Sequence, residues 1–289
     1  MSSRVLDGRD LASHLRRELE RRVAHLRGDD EAPGPCLAIL GDGANEGATI
    51  YANGLERAAR SVGIETRLIR VTHGAVSDET ITELNADPNV AGIVIAQPFA
   101  DAAEGRRLVE LIDPGRDVDG ATPTNAGRLA RGEPAFVPAT ALAVIALLEA
   151  AGVEVAGRRA VIVGRSAVVG RPVASLLLAR DATVVICHRA TRNLARETRR
   201  AEVLVAAAGV PGLIRPEMVN RSATIIDCGI NATEAGIVGD VDFPAVLPVV
   251  RAISPVPGGV GPVTPMMVLR QTVESAERAA LVVPPVELR

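Results

Sequence analysis

The chain alternates short, almost wholly apolar runs with longer stretches of helical periodicity. In its N-terminal part these pairs are "PCLAIL" before 50–62, "TRLIRV" before 77–85 and "AGIVIAQ" before 103–112. Such runs have too few polar residues to expose either face of a strand, which is typical of parallel strands covered by helices on both sides. The alternation therefore predicts an α/β fold.

A second series of this kind follows a proline- and glycine-rich stretch, 113–138, and a long helical segment, 139–151. Its strands read "RRAVIVG", "ATVVICHR", "VLVAAAG" and "ATIIDCG", and helices are expected at 168–180 and 194–200. We therefore expect two domains, 1–138 and 139–265. A C-terminal helical segment, 266–289, is expected to pack back onto the first domain.

The composition favours an enzyme that handles small molecules over a nucleic-acid-binding protein. The 289 residues are 47% hydrophobic, which is ample for a core. A net charge of -3 gives no basic footprint for a phosphate backbone, and the aromatic residues are too few to stack on bases. No nucleic-acid partner is expected.

The cysteines and the apolar runs exclude two other classes of protein. Cys36, Cys187 and Cys228 are far apart in apolar runs, so we expect reduced core residues and no metal site. The longest uncharged apolar runs fall short of the roughly 18 residues of a membrane-spanning helix. The N-terminal segment lacks the apolar core of a signal peptide. We expect a cytoplasmic protein without a membrane partner.

The segment "AVIVGRSAVVGRPVASLLL" is the strongest local motif, because a buried strand runs into a glycine turn at Gly164 and then into a helix. Backbone N–H groups of such a turn and the helix N-terminus can hold a phosphate. The spacing from Gly164 to Gly170 is not the usual G-x-G-x-x-G. The turn alone leaves open a nucleotide site and an ordinary strand-to-helix connection.

The next strand ends in "VICHRAT", where NAD-binding domains usually present an acidic residue to the ribose 2′-hydroxyl. Arg189 stands there, and with Arg165 it predicts binding of a 2′-phosphate, hence NADP over NAD. The alternative is a pair of solvated surface arginines. His188 either contacts the adenosine end of the dinucleotide or is an ordinary surface histidine. Its place at the end of a strand favours the second interpretation. A Ser166–His188 hydrolase is disfavoured because no nucleophile elbow is present.

Four motifs, in order over essentially the whole chain, resemble those of the methylenetetrahydrofolate dehydrogenase/cyclohydrolase family. They are "DVDG" (117–120), "GRSAVVGRP" (164–172), "VGDVDF" (238–243) and "PVPGGVGPVT" (255–264). The resemblance implies an N-terminal α/β folate domain and a Rossmann-like NADP-binding domain with a mostly parallel sheet. It also implies an active-site cleft between the domains and a homodimer formed through the cofactor domains. The implied reaction passes hydride from 5,10-methylenetetrahydrofolate to NADP and then hydrolyses the methenyl product to 10-formyltetrahydrofolate.

The resemblance also implies roles for individual residues. Tyr51 and Asp119 match catalytic and substrate-binding positions, and further substrate contacts fall on Pro257, Gly258 and Gly259. The implied cofactor-binding residues are Gly164, Arg165, Ser166, Gly170, Pro172, His188, Arg189, Ile230 and Thr264. Judged by the residues alone, Asp119 reads as a turn residue and Tyr51 as a core aromatic; the flanking motifs favour the functional interpretation.

The chain departs from the family where the family uses a lysine and its glutamine partner. In the implied Tyr-x-x-x-Lys pattern, Leu55 occupies the lysine position, and no lysine occurs anywhere in the chain. Arg57 lies two positions further along the helix, and its guanidinium does not deprotonate in a useful range. Ala96 occupies the glutamine position; the adjacent Gln97 should face the other side of the sheet. A general acid/base is therefore expected to be missing.

Three hypotheses follow for the function. The first is an NADP-dependent methylenetetrahydrofolate dehydrogenase whose cyclohydrolase activity is weak or lost. The second is a remodelled folate enzyme acting on a different one-carbon reaction or substrate. The third is a catalytically silent NADP-binding partner.

Overall fold

The computed structural model describes residues 3–28, 34–71, 78–97, 99, 101–234 and 236–282. Ser77, with which one helix was expected to begin, and 283–289 of the expected C-terminal segment lie outside the described residues. The described chain forms two compact units, each with its own parallel sheet. The three-stranded unit comprises His14–Gly127 and the described residues from Val268 on, and the six-stranded unit comprises the described residues up to Ser13 and of Arg128–Met267.

The strands and helices of the described chain, in order, are β1 (Arg4–Val5), α1 (Gly8–Arg27), β2 (Cys36–Asp42), α2 (Glu46–Ser61), β3 (Glu65–Val71), α3 (Asp78–Ala86), β4 (Val90–Ala96), α4 (Ala102–Leu111), α5 (Pro123–Ala130), α6 (Ala139–Ala150), β5 (Arg159–Val163), α7 (Gly170–Leu178), β6 (Thr183–Cys187), α8 (Leu194–Thr198), β7 (Val203–Ala206), β8 (Thr224–Asp227), β9 (Asn231–Thr233), β10 (Gly236–Val238), α9 (Phe243–Val246), β11 (Ala252–Ile253) and α10 (Val260–Val282). The α/β fold predicted from the sequence is confirmed.

The sheet of the three-stranded unit has the order β3-β2-β4, with all strands parallel. Every residue of β2 and β4 is buried, as their apolar sequences predict. One face packs against α3 and α4 through a core that includes Ile93, Ile95 and Leu108. The other face meets α2, since a Cβ built on Gly41 of β2 would contact both Ala52 of α2 and Ala96 of β4. Successive residues of β4 therefore point to different helices.

The sheet of the six-stranded unit has the order β1-β11-β8-β7-β5-β6 and is parallel throughout. The chain moves outward from β5 to β6 and then returns to the other side of β5 for β7. The order therefore reverses between β5 and β7, and ligands of doubly wound sheets bind outside the carboxyl ends of the strands at such a point. This strand order is that of a doubly wound α/β domain.

The limits of the two units differ from the predicted domain limits in two segments, because the described residues up to Ser13 and residues 128–138 both belong to the six-stranded unit. Residues up to Ser13 group with the six-stranded unit, because Arg4 and Val5 of β1 pair in parallel with β11. From Val268 on, α10 belongs to the three-stranded unit, where Gln271 donates a hydrogen bond to the backbone oxygen of Val118. The domain limits 1–138 and 139–265 stay a prediction.

Candidate active site

The turn after β5 has a backbone that only glycine can adopt. Gly164 has φ +135°, and a Cβ there would overlap the carbonyl oxygen of Ala207, which follows β7. A Cβ on Gly170 would overlap the carbonyl oxygen of Gly164 in the same way. Both glycines bring backbone against backbone at the point where the strand order reverses. The turn is a cradle of the kind that admits a phosphate close to the backbone.

Ser166 organises the start of α7. Its hydroxyl accepts hydrogen bonds from the backbone N–H groups of Val169 at 3.1 Å and Gly170 at 3.4 Å. Arg165 and Ser166 are exposed, whereas Pro172 is buried in the first turn of the helix. The structure thus gives Pro172 a packing role, and leaves the side chains of Arg165 and Ser166 open to a ligand.

Arg165 and Arg189 occupy equivalent positions at the ends of neighbouring strands. Val163 of β5 is the register partner of Cys187 of β6, and each arginine stands two residues after its member of that pair. Arg189 is exposed, and His188 is half-buried in a turn where its Nδ1 accepts a hydrogen bond from Ala190 N–H at 3.2 Å. The two guanidinium groups thus belong to one edge of the sheet, as 2′-phosphate recognition requires.

A pocket of about 330 Å³ lies in the six-stranded unit, lined by the segments that follow β8 and β11. Its lining includes five residues predicted as ligand contacts: Ile230, Pro257, Gly258, Gly259 and Thr264. It also includes five residues that the sequence did not single out for binding: Arg9, Thr140, Asp227, Cys228 and Ile237. Residues predicted for the cofactor and residues predicted for the substrate therefore share one cavity.

Asp227 is a buried carboxylate in the wall of this pocket. It accepts hydrogen bonds from the backbone N–H groups of Gly229, Asp240 and Val241 at 2.9–3.0 Å. Burial raises its pKa to about 6, although the three N–H groups favour the charged form and oppose that rise. The pKa of the neighbouring Cys228 thiol is also raised, mainly by burial and to a smaller extent by the negative charges of Asp227 and Asp240.

Asp240 is fully buried and ties the loop after β7 to the segment after β8. Its carboxylate accepts hydrogen bonds from the successive N–H groups of Ala208, Gly209 and Val210, at 2.5–3.0 Å, and from Asn231 Nδ2 at 2.9 Å. The sequence motif around Asp240 did not by itself predict a task for this residue. Its three backbone partners lie 30–32 residues earlier in the chain, so only the tertiary fold brings them together.

Tyr51 and Asp119 both belong to the three-stranded unit. Tyr51 is half-buried on α2; its burial, and the negative charge of Asp119 nearby, raise the pKa of its phenol. The tyrosine therefore stays protonated throughout the neutral range. Asp119 is half-buried in the loop that precedes α5.

Turn chemistry in this loop is carried out by two other aspartates. Asp113 accepts a hydrogen bond from Gly115 N–H at 2.8 Å. Asp117, 1% exposed, accepts from the N–H groups of Ala121 and Thr122 and from Asn125 Nδ2. These bonds fix the backbone on both sides of Asp119. The binding role of Asp119 stays a prediction.

Leu55 and Ala96 are buried where the resemblance implies a lysine and a glutamine. Leu55 is 1% exposed on α2, and Ala96 is fully buried on the sheet face that α2 covers. Gln97, just beyond β4, is turned toward the opposite face: its Oε1 accepts from Phe99 N–H at 3.2 Å, and its amide would touch a Cβ on Gly105 of α4. Arg57 is exposed. The described part of α2 and β4 therefore presents no basic group at this position.

A metal-binding cluster and a membrane-spanning helix are both absent from the described residues. They contain no group of three His, Cys, Asp or Glu side chains placed to hold a metal ion. Among them, no helix has the length and apolar character needed to cross a membrane.

Comparison with known proteins identifies the family. Residues 6–119 match the family described as tetrahydrofolate dehydrogenase/cyclohydrolase, catalytic domain, and residues 138–280 match its NAD(P)-binding domain. The chain belongs to the tetrahydrofolate dehydrogenase/cyclohydrolase family. The resemblance proposed from the four motifs is thereby confirmed.

Relatives within the tetrahydrofolate dehydrogenase/cyclohydrolase family match over nearly the full length. The bifunctional protein FolD of Moorella thermoacetica is 42% identical over 282 residues, covering 96% of this chain and 100% of the relative. The crystal structure of the FolD enzyme of Campylobacter jejuni superposes with a TM-score of 0.91 at 37% identity, covering 96% and 99%. The Trypanosoma brucei enzyme, solved with NADP and an inhibitor, gives a TM-score of 0.90 at 33% identity, covering 98% and 100%.

Proposed function

We propose that this protein is an NADP-dependent 5,10-methylenetetrahydrofolate dehydrogenase whose methenyltetrahydrofolate cyclohydrolase activity is weak or lost. Membership of the family supports the first half. One observation carries the second half: Leu55, 1% exposed, stands where the family resemblance implies the acid/base lysine, and the chain contains no lysine to replace it.

The residues around the Gly164 turn fit a bound dinucleotide. At Gly164 and Gly170 the backbone packs against neighbouring carbonyl oxygens too closely to admit a Cβ, and the exposed Arg165 and Arg189 supply cations at the same sheet edge. We propose that the turn holds the pyrophosphate and that the two arginines hold the 2′-phosphate of NADP. When bound, NADP supplies the hydride acceptor of the reaction.

The dehydrogenase step depends less on a proton carrier than the hydrolytic step does. Hydride transfer requires chiefly that donor and acceptor carbons be held in contact and aligned. We propose that Tyr51 and Asp119 bind and orient the folate in that step, and that Pro257, Gly258 and Gly259 also contact it. Adding water to the methenyl carbon requires proton transfers, which a positioned acid or base accelerates by about 10² to 10⁴-fold. Replacement of the lysine by leucine is therefore expected to reduce the hydrolytic step more than the dehydrogenase step.

The test is incubation of the purified protein with 5,10-methylenetetrahydrofolate and either NADP or NAD, while NADPH or NADH formation is followed. We expect reduction of NADP at a rate well above that of NAD. A protein that binds NADP and folate but reduces neither dinucleotide would favour the remodelled enzyme. A protein that binds NADP and no folate would favour the silent partner.

We also propose a homodimer formed through the six-stranded unit. Its edge strand β6 has a pairing side left open within the described chain, and Ile186 on that strand is 40% exposed. Edge strands of this kind pair readily with another chain. Sedimentation of wild type and Ile186→Lys tests it: a dimer that Ile186→Lys weakens supports the assignment, and a wild-type monomer contradicts it. A cytoplasmic location and the absence of a nucleic-acid partner stay predictions.

A further inference from the structure

The hairpin of β9 and β10 has one polar and one apolar face. Its antiparallel register pairs Ile237 with Ala232 and Val238 with Asn231. Alternate residues share a face of a strand, so Ala232 and Ile237 lie on one face and Asn231 and Val238 on the other. Ile230, just before β9, continues the apolar face, and both isoleucines line the 330 Å³ pocket.

The polar face anchors the hairpin to the rest of the unit. Asn231 Nδ2 donates to Asp240 Oδ1 at 2.9 Å and to the Val238 carbonyl oxygen at 3.3 Å. Asp240 in turn accepts from the backbone N–H groups of the loop after β7. The orientation of the apolar face toward the pocket is therefore fixed by charge-assisted hydrogen bonds to the buried Asp240 carboxylate.

The apolar face is exposed although it borders a concave pocket. Ile230 is 73% exposed and Ile237 is 51% exposed. Covering aliphatic surface of this extent with an apolar group is favourable, in proportion to the area removed from water. A flat aromatic ring that enters the pocket can pack one face against this surface without any rearrangement of the hairpin.

The position of the hairpin relative to the sheet indicates which ring of a bound dinucleotide would enter the pocket. In a doubly wound sheet, each side of the reversal point holds one half of a dinucleotide. Arg165 and Arg189 follow β5 and β6 on one side, where they meet the 2′-phosphate and hence the adenosine half. The hairpin follows β8 on the other side, which leaves the nicotinamide half for Ile230 and Ile237.

We propose that Ile237 is a cofactor-binding residue that packs, with Ile230, against the nicotinamide end of NADP and shields it from water. The inference rests on the proposed function and adds a contact from a second strand of the hairpin. It assigns the hairpin a task that the glycine turn cannot perform, because the turn holds phosphate and leaves the ring uncovered.

The experiment measures equilibrium binding of two ligands to Ile237→Ser without folate. NADP should bind about fivefold to tenfold more weakly than to wild type, as expected for losing half of an aliphatic side chain's burial. Adenosine 2′,5′-bisphosphate, which lacks the nicotinamide half, should bind both proteins equally. Ile237→Val should restore NADP affinity to within about twofold. Leu178→Ser, at an aliphatic residue 64% exposed on α7 outside the pocket lining, should match wild type.

The outcomes separate the inference from the proposed function. Unchanged NADP affinity in Ile237→Ser, or equal weakening of both ligands, would overturn the inference while leaving NADP binding intact. Wild-type protein that binds neither ligand would overturn the proposed function together with the inference.

Discussion

Ala96 and Gln97 are adjacent in the chain but lie against different helices. Ala96 is buried on the sheet face that α2 covers, whereas the Gln97 amide packs beside Gly105 of α4 and accepts a hydrogen bond from Phe99 N–H. The sheet therefore separates Gln97 from Leu55 of α2. A lysine at position 55 would need its polar partner at position 96.

Restoring both groups should restore hydrolysis. We expect Leu55→Lys to give weak cyclohydrolase activity, because a lysine at a site with 1% exposure loses hydration and its pKa falls. Adding Ala96→Gln supplies a hydrogen-bond partner, so the double variant should exceed the sum of the single variants, reaching about 10² to 10⁴-fold above wild type. The measurement is the rate of methenyltetrahydrofolate loss.

Two variants serve as controls for that gain. Leu55→Met keeps an apolar side chain of similar volume and should leave hydrolysis at the wild-type level. Gln97→Ala, on the other sheet face, should not reduce the activity of the double variant. If the double variant folds and binds NADP but does not hydrolyse the methenyl compound, the pocket differs from the family at more than these two positions.

Cofactor preference should reside in two arginines. Arg165→Ala and Arg189→Ala should each weaken NADP binding by about tenfold or more, because each removes a charge-assisted hydrogen bond to the 2′-phosphate. NAD binding should change little. Arg251→Ala, at an exposed arginine before β11 and thus at the opposite ends of the strands, is the matched control. Equal losses for NADP and NAD would contradict the assignment.

Two glycine-to-alanine changes should have opposite effects on stability. Gly164→Ala places a Cβ on the Ala207 carbonyl oxygen at φ +135°, so unfolding should be easier by about 1–3 kcal/mol or more, and NADP binding should be lost. Gly127→Ala lies in helix α5 with open space around its Cβ and should stabilise by about 0.5–1 kcal/mol. Urea denaturation measures both changes in stability. A Gly164→Ala variant that is as stable as wild type and binds NADP would contradict the proposal that this turn holds the pyrophosphate.

Stability should depend on pH through Asp227. Its folded pKa of about 6 lies above the value of about 3.9 expected when unfolded, so the folded protein holds a proton there more tightly. The resulting stabilisation is complete below about pH 4 and is lost as pH rises through about 6. Relative to Asp227→Asn, wild type should therefore lose on the order of 2–3 kcal/mol of unfolding free energy from pH 4 to pH 7. A difference between the two proteins that does not change with pH would contradict the raised pKa.

The sequence predicted the strands well where burial on both faces makes them uniformly apolar, as in β2 and β4. It placed the start of α2 at Ile50, whereas the helix begins at Glu46, because Asn45 caps it by accepting from Ala48 N–H. Helix α5 and the β9–β10 hairpin were not foreseen. Both are short and rich in small or polar residues, so neither has a clear hydrophobic period.

The candidate site was predictable where one residue type is dictated by backbone geometry, as at Gly164. It was not predictable where the task arises from tertiary contacts. No sequence pattern assigned a task to Asp227 or Asp240, because only the fold surrounds them with backbone N–H donors from separate loops. Ile237 has no signal in the sequence, since its role depends on the hairpin register.

The most direct measurement is a time course of wild-type protein with 5,10-methylenetetrahydrofolate and NADP, in which NADPH, the methenyl compound and the 10-formyl compound are quantified separately. We expect methenyltetrahydrofolate to accumulate along with NADPH, and 10-formyltetrahydrofolate to form much more slowly than NADPH, at or little above its rate in a protein-free solution of the methenyl compound. Formation of 10-formyltetrahydrofolate in step with NADPH would contradict the claim that Leu55 removes the hydrolytic step.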